Sequence, residues 1–280
     1  MTRLLLIGIA LLAIGTGTVR AEEKAIHWML TGVPPKFISD GPFQGTGYGQ
    51  QQVAYLAKRL PQFHHRVELV TPARLWHEMQ IGKGICSIDI ADLPEREAWA
   101  VFTRHHTSVP GYRMLVLRDR VSEFALFRLS DGSIDLDRLA ASGRLTGLYV
   151  ASRHYTPKIN AFIESRDRNI SLESTSSSTK IFEMIASRRG DFSFGAVTEM
   201  NYFNALNAVP PTGGKSLPPL AMLAIKDSGE TVQGHIACSR DPLGREMINA
   251  LDRLFDDETA WNEFFAPQQR WLDNVPVAPP

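Results

Sequence analysis

The chain has 280 residues, of which 44% are hydrophobic and 21% charged, and its 30 basic side chains balance 30 acidic ones. This is material for one large globular domain or two modest ones. A formal net charge of zero removes the electrostatic case for a nucleic-acid or anionic-membrane partner, which a basic excess would accompany.

Arg3, the apolar run "LLLIGIALLAIG" and the small residues Val19 and Ala21 follow the order of a secretory signal peptide, so residues 1–21 are expected to be removed. The run falls short of the roughly 20 apolar residues that span a bilayer, and no cysteine follows it as a lipid-anchor site. A periplasmic protein is expected. Cys86 and Cys238 then face an oxidising compartment, where an even count favours a disulfide. Both stand in short apolar runs, "GICSIDI" and "GHIACSRD", which read as strands.

In chain order, "AIHWMLT" reads as a strand stopped by Pro34 and Pro35. "QQQVAYLAKRLP" reads as a helix with Val53, Leu56, Ala57 and Leu60 on one face. "HRVELVT" is a second strand and "PARLWHEMQIGKG" a second helix, opened by Pro72 and closed by Gly82 and Gly84. "ICSIDIAD" predicts a third strand, "LPEREAWAVF" a third helix and "GYRMLVLRD" a further strand. The pattern restarts with the strand "RLTGLYVAS", the helix "TPKINAFIE", the polar "STSSSTK", the helix "KIFEMIASRRG" and the strand "DFSFGAV". The Pro- and Gly-rich "NAVPPTGGKSLPP" precedes "LAMLAIKD", "QGHIACSRD" and one long terminal helical segment, "PLGREMINALDRLFDDETAWNEFF". Strands alternating with helices predict an α/β protein of two lobes, each a mostly parallel sheet flanked by helices, with a ligand cleft at the strand ends.

The order of these elements resembles the extracellular solute-binding protein family 3, the two-lobed periplasmic binding proteins of the type II fold. "IHWML" with "PPKF", "GTGYGQQQVAYLAKRL", "ARLWHEMQIGKG" and "CSIDIADLPEREAWAVFT" resemble the first lobe. "GRLTGLYVASRHYTPKINAFI" and "RRGDFSFGAVTEMNYF" resemble the second, and "GHIACSRDPLGREMINALDRLF" the return to the first. The likeness covers nearly all of the chain after the signal and implies lobe 1 at 22–117 with 220–280 and lobe 2 at 118–219. It also implies uptake of a small polar ligand (amino acid-like, polyamine, peptide or organic acid) with an inner-membrane ABC permease. A ligand-responsive accessory protein of a membrane sensor is the alternative, and a periplasmic dehydratase the weaker one. A monomer without cofactor is expected.

The resemblance also implies site residues. The arginine of the stretch similar to "LPER" commonly grips a ligand carboxylate in that family, which carries over to Arg96. The bland reading is an arginine paired with Glu95 or Glu97, or solvated. The stretch departs from the family at Asp89, Ala91, Asp92 and Leu93, where hydroxyl residues are usual, so Asp89 joins the candidates as a carboxylate near that grip. The acidic residue expected to hold an ammonium group falls near Ala196, with Glu199 the closest carboxylate, and the aromatic platform falls near Val33. In "VASRHYTPK", Arg153 and Tyr155 occupy a strand-to-helix turn facing the cleft, where Arg153 is either an anion site or a solvated loop residue. Trp28 and Tyr48 are stacking surfaces or core.

Other chemistry is poorly supported. His64-His65 and His105-His106 lack zinc-site spacing. "GGKS" at 213–216 lacks the opening glycine of a phosphate loop, Val209 standing there, and G-x-S-x-G is absent.

Overall fold

The computed structural model describes residues 24–151, 153–209, 217–229 and 231–273. The expected signal peptide and the "GGKS" stretch lie outside the described residues. Among the described residues no helix is long and apolar enough to cross a membrane.

The first five elements form where apolar periodicity predicts them. β1 (Ala25–Thr31) buries Ile26, Trp28 and Leu30, and α1 (Tyr48–Arg59) turns Val53 and Leu56 onto the same core. β2 (His64–Val70) is followed by α2 (Pro72–Ile81), where Pro72 opens the helix and the Thr71 hydroxyl accepts the free N–H of Arg74. β3 (Ile85–Ile90) is buried at nearly every position.

The expected third helix does not form. Pro94–Arg96 makes one 3₁₀ turn, and the chain then enters an 11-residue strand, β4 (Ala100–Pro110). The local preference of Glu-Arg-Glu-Ala for helix yields to a ladder in which Ala100, Val101 and Phe102 pair with Ser239, Cys238 and Ala237.

β5 (Arg113–Leu117) leads through 3₁₀ turns at Arg118–Phe127 to α3 (Leu136–Ala140), capped by the Asp135 carboxylate. β6 (Thr146–Val150) and α4 (Pro157–Glu164) precede β7 (Ser171–Thr175), a short strand that apolar pattern does not announce. α5 (Ser178–Ala186), β8 (Phe192–Gly195), α6 (Val197–Ala208), β9 (Leu220–Leu223) and β10 (Thr231–Ser239) follow. The long terminal helical segment is two helices, α7 (Pro242–Phe255) and α8 (Glu258–Leu272), because Asp257 turns its carboxylate onto the Thr259 N–H and starts a new helix.

The strands form two five-stranded sheets, in the orders β2-β1-β3-β10-β4 and β7-β6-β8-β5-β9. β2 and β3 flank β1 in parallel, as β7 and β8 flank β6, whereas β10 runs antiparallel to β3 and β4, and β5 to β8 and β9. Among the described residues, the chain therefore passes between sheets at Gly111–Tyr112 and after β9, in the stretch from 224 to 229 that precedes β10. Boundaries at 117/118 and 219/220 would put β5 and β9 with the first sheet. Their pairing to each other, Val116 opposite Ala221, puts both in the second, and strand order along the chain carries no sign of it.

Cys86 and Cys238 face each other on β3 and β10, fully buried, and form the expected disulfide. α6 is buried on two sides. Met200 and Phe203 join the second sheet's core, while Tyr202 packs edge-on to Phe43 and Trp271 of the first, and the Asn201 amide donates to the Trp271 carbonyl at 2.7 Å.

Candidate functional site

The most buried ion pair among the described residues lies in the second-sheet half. Arg153, on the β6–α4 loop, donates from Nη1 and Nη2 to both carboxylate oxygens of Glu199, at 3.0 and 2.8 Å. Their side chains are only 10% and 4% exposed. A planar guanidinium meets a carboxylate through two parallel hydrogen bonds, the strong form of this contact. Glu199 sits in the first turn of α6 because its carboxylate also accepts the Ala196 N–H at 2.9 Å, closing the helix start. Burial acts to lower the Arg153 pKa, but Glu199 foremost, with Tyr155 and Tyr112, raises it, and the net direction is up. Arg153 is therefore a fixed cation inside the protein.

Two tyrosine rings flank that cation, Tyr155 at 5.7 Å and Tyr112 at 5.9 Å from its guanidinium carbon. Tyr155 is part of the second core, and its hydroxyl accepts the Val150 N–H at 2.9 Å, which fixes the loop that presents Arg153. Tyr112 stands on the crossing between β4 and β5 and meets Tyr155 edge-on.

The first-sheet half contributes Asp89 near the end of β3. Its φ of 59° is a left-handed conformation seldom adopted by a residue with a side chain, and such backbone concentrates at functional sites. The Tyr48 hydroxyl donates to Asp89 Oδ2 at 2.7 Å, and Lys36 Nζ lies 3.7 Å from the same oxygen. Tyr48 is thus a polar support of Asp89 rather than a stacking surface. Burial, then the Asp89 charge and hydrogen bond, then Glu199 hold the Tyr48 hydroxyl well above the ordinary tyrosine range. Burial also raises Tyr112; Arg153 opposes this, while Glu199, Tyr155 and Asp89 add to it. The charges of Asp89 and Glu199 both act on the Tyr48 and Tyr112 hydroxyls, so the two carboxylates lie in one electrostatic neighbourhood.

Arg96 is used locally. Its guanidinium carbon lies 4.4 Å from the centre of the Trp76 ring, and Nη1 donates to the Ala91 carbonyl at 2.8 Å. Burial lowers its pKa, opposed by Glu95. Trp28 is fully buried and donates from Nε1 to His65 Nδ1 at 2.9 Å. Of the residues named from sequence, the fold brings Arg153, Tyr155 and Glu199 together, places Asp89 with Tyr48 and Lys36, and sets Arg96 apart on Trp76. Sequence reasoning missed Lys36 and Tyr112, though "PPKF" and the aromatic in "PGYR" were visible signs of cleft-edge residues.

No protein-family model and no curated protein matches the chain. Solved structures do. The ancestral amino acid-binding protein AncCDT-1, a precursor of cyclohexadienyl dehydratase, aligns over 89% of this chain and 96% of its own with a TM-score of 0.65 and 15% identity. The amino acid ABC transporter substrate-binding protein AbpA of Streptococcus pneumoniae, bound to L-arginine, aligns over 91% and 97% with a TM-score of 0.63 and 13% identity. This chain has the type II periplasmic-binding-protein fold. The VFT2 domain of BvgS from Bordetella pertussis, similar over 89% and 93% with a TM-score of 0.61 and 14% identity, shows the same fold in a different setting. At such identities the likeness is one of fold.

Proposed function

We propose that this chain is an exported, periplasmic solute-binding protein whose two lobes, the halves built on the two sheets, close on a small polar ligand for ABC-type uptake. The observation that carries the reading is the buried, doubly hydrogen-bonded pair of Arg153 with Glu199, flanked by the rings of Tyr112 and Tyr155. Arg153, Glu199 and Asp89 are the proposed ligand contacts. Tyr155 orients Arg153, and Arg96 braces the Ala91 loop beneath Asp89. A ligand that inserts between Arg153 and Glu199 separates a buried ion pair, which leaves each charge uncompensated unless the ligand restores both partners. A zwitterion with anionic and cationic groups does so; a polyamine or a simple organic acid restores only one. An amino acid-like ligand is therefore preferred within this reading.

A ligand-responsive domain that signals to a membrane sensor is the second reading. It is favoured by the likeness to the BvgS domain and by the closely paired charges of the cleft, which a domain released from transport duty would tolerate. The dehydratase precursor among the similar structures bears on fold rather than on catalysis in this chain.

A thermal-shift screen with amino acids, polyamines, short peptides and organic acids tests the proposal. A ligand at a hundred times its Kd adds about 2.7 kcal/mol, or roughly 5–10 °C in Tm for a protein of this size. Stabilisation by a zwitterion, lost in an Arg153→Met/Glu199→Gln double variant, is expected. No shift with any compound, together with capture of a membrane receptor, would favour the sensor reading. A shift that survives the double variant would exclude the proposed contacts.

A further inference from the structure

The ladders on both sides of β10 slip at the same place. His235 stands opposite Ile90 of β3 and His106 of β4, but Ala237 stands opposite Ser87 and Phe102. Ile236 alone therefore faces Ile88 and Asp89 on one side and the segment from Thr103 to His105 on the other. Regular pairing fails here, and side chains replace it: the Ile236 N–H donates to Thr103 Oγ1 at 3.2 Å, and that hydroxyl donates to the His105 carbonyl at 2.7 Å. Thr107 Oγ1 donates to the Gly234 carbonyl at 3.2 Å. Such irregularities occur next to functional sites, where they re-aim a side chain.

Beside this slip lies a small cavity of about 10 Å³, lined by the polar Gln52, Asp89, His105, Thr107 and Gln268 and by the rings of Trp261 and Phe264. Gln52 of α1 and Gln268 of α8, both lining it, are each only 2% exposed. His105 Nδ1 is buried without a hydrogen-bond partner among the described residues and lies 4.0 Å from Asp252 Oδ1 of α7, so that nitrogen is not counted among the cavity's polar groups. An apolar void of this size stays dry. A polar one close to the volume of one solvent probe, with several donors and acceptors around it, is suited to a water molecule. A metal ion fits the wall poorly, since Asp89 is its one carboxylate and Lys36 already lies 3.7 Å from it.

We propose that this cavity is the binding site of one ordered water molecule, shared among the Gln52 and Gln268 amides, the Asp89 carboxylate and Thr107. The water bridges α1, β3, β4 and α8 behind the cleft. Asp89 is then held from two sides: Tyr48 and Lys36 grip it toward the cleft, and the water supports it from within. That consequence for ligand binding rests on the reading of Asp89 as a cleft residue, whereas the water site stands without it.

Oxygen-17 relaxation dispersion of the solvent counts long-lived internal waters in the intact protein, and a high-resolution crystal structure locates them. The wild type is expected to show a water in this cavity with at least three polar partners, and Gln52→Leu/Gln268→Leu one long-lived water fewer. The ligand-induced Tm shift is expected to shrink in the double variant while the unliganded Tm falls by about 2–6 °C. Wild-type density without a water, or with the short contacts of a metal ion, would overturn the proposal whether or not the variant folds. A double variant that keeps the same water would overturn it too. Loss of the water with an unchanged ligand shift would leave the site standing and refute the role given to Asp89.

Discussion

Glu199→Gln is the sharpest perturbation of the cleft. The amide keeps a carbonyl oxygen for the Ala196 N–H, so the helix start survives, and the change isolates the negative charge facing Arg153. Two unit charges about 4 Å apart interact by roughly 4 kcal/mol at the effective dielectric that suits protein sites. Removing one member of a buried pair costs about 3–5 kcal/mol, because the other stays buried and uncompensated. With the two side chains 4% and 10% exposed, this pair belongs to that class rather than to surface bridges worth under about 1 kcal/mol. Urea denaturation of the wild type, Glu199→Gln, Arg153→Met and the double variant completes a cycle. Each single change is expected to cost about 3–5 kcal/mol and the double change less than their sum by about 2–3 kcal/mol, since the second substitution removes the orphaned charge. Single variants within about 1 kcal/mol of the wild type, or strictly additive losses, would show that the pair is solvated in solution and would remove the argument for a zwitterionic ligand.

Gly234→Ala would place a Cβ 2.3 Å from Asp89 Oδ1 and 2.9 Å from Thr107 Oγ1, so Asp89 must move; a loss of about 1–3 kcal/mol and a weaker ligand-induced shift are expected in calorimetry. Replacing both Cys86 and Cys238 by serine opens a cross-link between residues 152 apart in sequence, and a loss of about 2–5 kcal/mol is expected in chemical denaturation. Arg96→Ala removes the Trp76 contact and the bond to Ala91 and should lower stability by about 1–2 kcal/mol; unchanged stability with a lost ligand response would instead return Arg96 to the cleft. Burial acts to raise the Asp241 pKa, but hydrogen bonds from Ser239 and the N–H groups of Gly84, Gly244 and Leu243 outweigh it and lower the pKa. A depressed carboxylate stabilises the fold above its unfolded value of about 3.9 and loses that contribution as pH falls through the folded value, so Asp241→Asn should flatten the acid limb of a Tm-against-pH curve.

Elements with a strong local cause were legible in the sequence. The spacing of Val53 and Leu56 made α1, Pro72 opened α2, and the runs around Cys86 and Cys238 made the two strands that the disulfide joins. The misses share a different cause. β4 replaced a helix because its partner, β10, lies more than a hundred residues downstream, and no local pattern encodes that pairing. α6 carries apolar residues all round because Met200 and Tyr202 serve different cores, which erases the one-sided period that would have announced it. Within the site, Arg153 and Glu199 were visible as charged residues, but their pairing spans 46 residues and arises only when the β6–α4 loop meets the first turn of α6. Arg96 stood out in the family resemblance, yet one aromatic neighbour from another helix, Trp76, decides where its guanidinium rests.

The same geometry says where the proposed closure is absorbed. β10 is tied to β3 by the disulfide and to β4 by a ladder from Thr231 to Ser239, so neither strand bends freely within the first sheet. The bend must fall at Gly111–Tyr112 and within the segment after β9, where Asp227 and Gly229 already hold positive φ angles of 56° and 80°. Tyr112 is then both a crossing residue and a wall of the Arg153 site, so rotation there moves an aromatic ring relative to the cation it flanks. The Tyr202 and Asn201 contacts to Trp271 act against opening, because α6 cannot leave the first core without exposing Tyr202 and breaking the bond to the Trp271 carbonyl. In the proposed closure, ligand occupancy and hinge angle would be coupled through α6, which carries Glu199 in its first turn and packs Tyr202 into the first core.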